Sequence, residues 1–77
     1  MVRTRYHYQC SFIPDVDVPD VQPPFRKGKR DSCWIGVWSK RETEVTKALK
    51  NKLLRCYGII PTEVSCTYGF ETSYNSE

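Results

Sequence analysis

His7 is the only histidine of the chain, and Cys10, Cys33, Cys56 and Cys66 are its only thiols. Nucleophilic catalysis needs a base within hydrogen-bond reach of the attacking group, and almost every such scheme here runs through His7. Cys10 stands three residues further along. In a strand that odd spacing sends the two side chains to opposite faces and separates the pair. Zinc is gripped by cysteines in pairs about two to four residues apart, whereas the gaps here are 23, 23 and 10. No glycine-rich phosphate loop of the GxGxxG or GxxxxGK[ST] type occurs. The sequence therefore predicts no catalytic residue, no metal site and no cofactor, hence a protein that is not an enzyme.

Binding chemistry has more to work with. Residues 26–55 hold ten of the twelve cations and three acids, a local charge of +7 against −4 over the rest of the chain. Arg26, Lys27, Lys29 and Arg30 surround Gly28 as a basic arm, and Lys40, Lys47 and Lys50 fall on the outer face of a helix, so that the set can neutralise phosphates. Solvation of an ordinary helix surface accounts for the lysines equally well. Leu54 lies on that same outer face, an apolar point of contact for a protein partner.

Four elements must position these groups. Over residues 4–13, Tyr6, Tyr8, Cys10 and Phe12 alternate with Arg5, His7, Gln9 and Ser11, the pattern of a half-buried strand. Pro14 ends it, and Pro19, Pro23 and Pro24 make residues 14–32 a long extended loop, acidic in its first half and basic in its second. Residues 33–38, Cys-Trp-Ile-Gly-Val-Trp, are apolar nearly throughout, as in a strand covered on both faces. Ser39 and Glu42 have capping-box spacing, which predicts a helix starting at Lys40. Val45, Ala48, Leu49, Leu53, Cys56 and Tyr57 share one face of it, and Gly58 closes it. Val64, Cys66, Tyr68 and Phe70 then alternate with polar residues in a last strand, ahead of a frayed tail at residues 73–77.

With 77 residues and 9.0 kDa, the chain has room for one small domain spanning 1–77. Its order predicts a two-layer α+β fold, one helix on a three-stranded mixed sheet, because a strand-helix-strand connection sets its two strands parallel. Strand orders 1-2-3 and 2-1-3 both satisfy the pattern. No apolar run approaches the roughly 20 residues that cross a bilayer, and the charged N-terminal residues lack the apolar core of an export signal. A cytoplasmic chain with four free thiols follows as the expectation, with Cys10, Cys56 and Cys66 packed as small hydrophobes.

One helix covers one face of a sheet and leaves the other open. If Tyr6, Tyr8, Cys10, Phe12, Val64, Cys66, Tyr68 and Phe70 face the helix, then Trp34 and Trp38 share the open face with Arg5, His7 and Gln9. Such a surface has the physics of a stacking platform for single-stranded bases, unless Phe25 and the proline-rich loop fold over both tryptophans. The leading expectation is a small interaction module that uses its basic segment against nucleic acid or a nucleic-acid-bound complex. The alternative is a protein-binding inhibitor or adaptor of the mobile-element kind, acting through the open sheet face, a sheet edge or the long loop. Edge pairing also allows a homodimer.

Overall fold

The computed structural model describes residues 1–75, in the order β1 (Val2–Ile13), β2 (Asp31–Val37), α1 (Glu42–Tyr57) and β3 (Thr62–Asn75). The strands form one sheet in the order β2-β1-β3, and β1 is antiparallel to both neighbours. The expected mixed sheet is therefore wrong: the sheet is antiparallel throughout. The α1 crossover does leave β2 and β3 pointing the same way, but it carries the chain over β1, which lies between them. No parallel pair forms.

The long, alternating β1 is the middle strand, and the short apolar β2 is an edge. Cys10, Phe12, Ile35 and Val37 face α1 and are buried with Val45, Leu49 and Leu53, which recur every fourth residue on the helix. The helix starts at Glu42 rather than Lys40, because the Ser39 hydroxyl accepts from the Arg41 N–H at 3.1 Å and no Ser39–Glu42 box forms. Arg41 is the N-cap and supplies no side-chain cap. The other end follows the expectation. Gly58, at φ 70°, donates its N–H to the Leu54 carbonyl while Ile59 donates to that of Leu53, and Ile59 is fully buried beneath the turn.

The expected 14–32 loop ends at Arg30, because Asp31 and Ser32 already pair with β1, and it packs against the helix side, not over the tryptophans. Phe25 lies 5.8 Å from the Phe12 ring and 5.0 Å from that of Tyr57, centroid to centroid, and is buried. The loop's two halves hold each other: Val18 and Phe25 exchange backbone hydrogen bonds, and the Asp17 carboxylate accepts from the Lys27 N–H at 2.8 Å. Asp15 accepts from the Ile60 N–H at 2.8 Å.

β3 also departs from the simple alternation. It runs on to Asn75, so Ser73 to Asn75 are strand rather than tail, and the remainder of that expected tail lies outside the described residues. Two register shifts interrupt its pairing with β1. One leaves Gly69 as an extra residue between the His7–Phe70 and Tyr8–Tyr68 pairs; the other falls at Glu63, which takes a left-handed φ of 48°.

Candidate site on the open sheet face

Because side chains alternate, the β1–β2 and β1–β3 registers decide which residues share the uncovered face. Arg3, Arg5, His7 and Gln9 come from β1, Trp34 from β2 and Phe70, Thr72 and Tyr74 from β3, with Trp38 just past the end of β2. Phe70 is the correction here. The Gly69 bulge turns it from the helix side to the open side, where it stacks on His7 at 4.4 Å between centroids and lies 5.7 Å from Trp34. Tyr68, just before the bulge, keeps the expected side and meets Tyr8 edge-on at 5.6 Å.

The face carries two adjoining aromatic groups. In one, Trp34, Phe70 and His7 touch, and Thr72 holds the His7 Nε2 at 3.2 Å through its hydroxyl. In the other, Trp38 meets Tyr74 at 5.9 Å, the Arg3 guanidinium lies 4.1 Å over the Trp38 ring and that of Arg5 lies 5.4 Å from it. Trp34 and Trp38 are each 47% exposed and Phe70 is 51% exposed. Arg5 crosses the β2 backbone where Gly36 has no side chain to obstruct it, donating to the Gly36 carbonyl at 3.3 Å. Its Nε is buried without a partner. The guanidinium is thus fixed at the rim of the aromatic patch. Exposed rings beside fixed cations can stack on flat apolar groups and meet anions at the same time.

The basic residues singled out by charge are dispersed. Arg26, Lys27, Lys29 and Arg30 are exposed on the loop, but Arg30 is engaged: it donates to the Ser11 hydroxyl at 3.0 Å and to the Glu63 carbonyl at 3.2 Å, and pairs with the Glu63 carboxylate at 3.7 Å. The basic arm is therefore tethered at Arg30. Lys47 and Lys50 line a shallow groove on the outside of α1, the layer opposite the open face. Lys40 lies over the Tyr68 and Tyr6 rings at 4.9 and 5.4 Å, beside a cleft of about 310 Å³ between α1 and β3. Leu54 is 53% exposed on the outer helix face, as its wheel position requires.

Arg3, Phe70 and Tyr74 escaped the sequence reading. Arg3 and Tyr74 lie opposite each other where β1 and β3 extend beyond β2, and only the full strand lengths disclose that pairing. For Phe70, the glycine inside an alternating run was the available signal of a bulge.

The cysteines divide two and two. Cys10 and Cys66 face each other across β1 and β3, Cα atoms 4.0 Å apart, and form a disulfide, which overturns the expectation of four thiols. Cys33 and Cys56 are free. Burial pushes the Cys33 thiol above its usual range, with Lys52 acting against the shift and Asp31 adding to it. Cys56 is exposed rather than packed in the core. Among the described residues, no three His, Cys, Asp or Glu side chains gather as metal ligands, and no helix is long and apolar enough to cross a membrane.

No protein-family model, curated protein or solved structure matches the chain.

Proposed function

We propose that the chain is a non-enzymatic binding module that takes up unpaired nucleobases on the open sheet face, with Arg3 and Arg5 meeting the phosphates. The observation that carries this reading is the row of exposed rings, Trp34, Phe70, Trp38 and Tyr74, left uncovered by the proline-rich loop and flanked by the Arg3 and Arg5 guanidiniums. Stacking is worth about 1–3 kcal/mol per base and tolerates any base. The loop cations Arg26, Lys27 and Lys29 supply a second, weaker electrostatic contact. The helix lysines Lys47 and Lys50 face away from the rings and serve solubility in this reading.

The alternative is a protein-binding inhibitor or adaptor that uses the same rings as anchors. Titrating labelled single-stranded oligonucleotides into the protein and its Trp38→Ala variant separates the two. Nucleic-acid binding predicts micromolar or tighter affinity that is lost with Trp38. Affinity no better than about 100 μM at physiological salt, the weak end of non-specific binding, rejects it.

The cytoplasm is the proposed location, and the Cys10–Cys66 bond is the observation that weighs against it, since reducing compartments keep most thiols open. Trapping free thiols in freshly lysed native cells decides the matter: a closed bond in the bulk of the protein places the chain in an oxidising compartment.

A further inference from the structure

The two edges of the sheet are treated differently. In an antiparallel ladder, residues of a closely spaced pair point their N–H and C=O groups away from each other. Cys10 and Cys66 are such a pair, so Cys66 turns its backbone groups to the free edge of β3. By alternation on either side of the Gly69 bulge, Val64, Tyr68, Glu71, Ser73 and Asn75 do the same. The same parity turns the Trp34 and Gly36 carbonyls to the free edge of β2. Both are occupied: Lys52 Nζ donates to Trp34 at 2.7 Å and Arg5 to Gly36 at 3.3 Å. Of the three outward carbonyls of β2, those of Ser32, Trp34 and Gly36, two carry a cation, which hinders a further strand.

β3 has no such protection. Arg30 reaches the Glu63 carbonyl at its start, but among the described residues no side chain hydrogen-bonds the β3 backbone beyond that point. The strand is 14 residues long and contains no Pro, Lys or Arg. We infer that the β3 edge pairs with the β3 edge of a second copy of this chain, antiparallel about a two-fold axis, giving a six-stranded sheet.

The bulge selects the register. It switches the outward set from Val64, Cys66 and Tyr68 before Gly69 to Glu71, Ser73 and Asn75 after it. Setting Tyr68 against Glu71 of the second copy also sets Cys66 against Ser73 and Val64 against Asn75. Every outward group then meets an outward group, and the two Gly69 bulges flank the axis. This register keeps the two Glu71 carboxylates apart and brings each toward the Lys40 that lies over the opposing Tyr68 ring, an opposite charge. Isologous pairing of this kind closes at two copies, and it does not depend on what the open face binds.

Sedimentation equilibrium over a wide concentration range, with amide hydrogen exchange on the same samples, tests the pairing. The expected result is a reversible dimer in which the Cys66, Tyr68 and Ser73 amides are protected and lose protection on dilution. Ser73→Pro removes an N–H that points away from β1, so the three-stranded sheet keeps its own bonds. It should weaken the dimer about tenfold or more, the loss of one or two hydrogen bonds, with an unchanged far-UV circular dichroism spectrum. Should that variant unfold, the exchange pattern of the unsubstituted chain still decides. A monomer at every concentration overturns the inference and leaves the edge to a strand of another protein. A dimer whose β3 amides stay unprotected overturns it too and assigns association to another surface.

Discussion

Phe70 stacks on His7 at 4.4 Å on the open face, whereas Tyr68, two residues earlier, packs on Tyr8 on the helix face. Residues two apart in a regular strand share a face, and the single extra residue Gly69 reverses that relation for the remainder of β3. One backbone irregularity moves an aromatic ring out of the helix layer and completes the aromatic row.

Gly69 owes its identity to this crowding. A Cβ there would run into the Trp34 ring and approach the His7 carbonyl at 3.1 Å. Gly69→Ala should displace the Trp34 indole, change its fluorescence and cost about 1–3 kcal/mol, as overpacking does. In a Trp34→Ala background the cost should shrink, because the larger obstacle is gone; denaturant midpoints of the four proteins of the cycle measure this. Equal costs in both backgrounds would place the constraint on the backbone alone.

Element types and the core were readable because hydrophobic period is a local property. Val45, Leu49 and Leu53 face the sheet as their spacing requires, and Gly58 stops the helix as a left-handed residue should. What stayed open, such as the choice between strand orders 1-2-3 and 2-1-3, and what failed were decided by partners distant in sequence. Strand order depends on which strand takes the centre, and the Cys10–Cys66 bond joins residues 56 apart. The direction in which the loop folds turned on Phe25 fitting between Phe12 and Tyr57 rather than over the tryptophans. Charge marks the basic residues from the sequence, but their place depends on the fold: Lys47 and Lys50 line the outside of α1, while Arg30 is tied to Ser11 and Glu63.

The disulfide should be worth about 2–4 kcal/mol, mostly through restriction of the unfolded chain. Urea unfolding with and without reductant measures it, as does the Cys10→Ala, Cys66→Ala double variant. Alkylation of the unreduced protein in denaturant should add two groups, at Cys33 and Cys56. Under native conditions exposed Cys56 should react before Cys33, whose thiol burial holds protonated. Four adducts without reduction would show the bond to be open.

Arg41 offers a stabilising substitution. It occupies the N-cap without a side-chain cap, and Glu44 stands three residues later. Arg41→Ser would build the capping box that Ser39 and Glu42 do not form, raising stability by about 1 kcal/mol. A matching rise in denaturant midpoint at constant slope is the expected readout, whereas Ser39→Asp should gain less because it lies two residues before the N-cap.

Tyr68 donates its hydroxyl to the Glu71 carboxylate at 2.7 Å, and this bond, above all, pushes its pKa up to about 12 from 10.0. The folded state therefore holds this proton more tightly than the unfolded state does. The associated stability is present in full below about pH 10 and is lost as the pH climbs through about 12. In an alkaline absorbance titration one tyrosine should ionise late, and Glu71→Gln should return it toward the ordinary range. A Tyr68→Phe variant with the same late titration step would assign that step to another tyrosine.

The open face and the basic loop make different demands on salt. Each phosphate contact to a single strand contributes a logarithmic slope of about −0.7, while stacking contributes almost none. If Arg3 and Arg5 hold the phosphates beside Trp38, the paired change Arg3→Gln, Arg5→Gln should flatten the salt dependence by about 1.4, two such contacts, and should weaken binding at low salt most. Trp38→Ala should lower affinity by a similar factor at every salt concentration and leave the slope in place. Reversing Lys27 and Lys29 to Glu should have the smaller effect, since these side chains lie on the loop, away from the rings. Arg30→Glu is unsuitable for this purpose, because Arg30 ties the loop to Ser11 and Glu63. If instead the loop reversals abolish binding and the Arg3, Arg5 variant binds normally, the nucleic acid lies along the loop and the rings belong to a different partner.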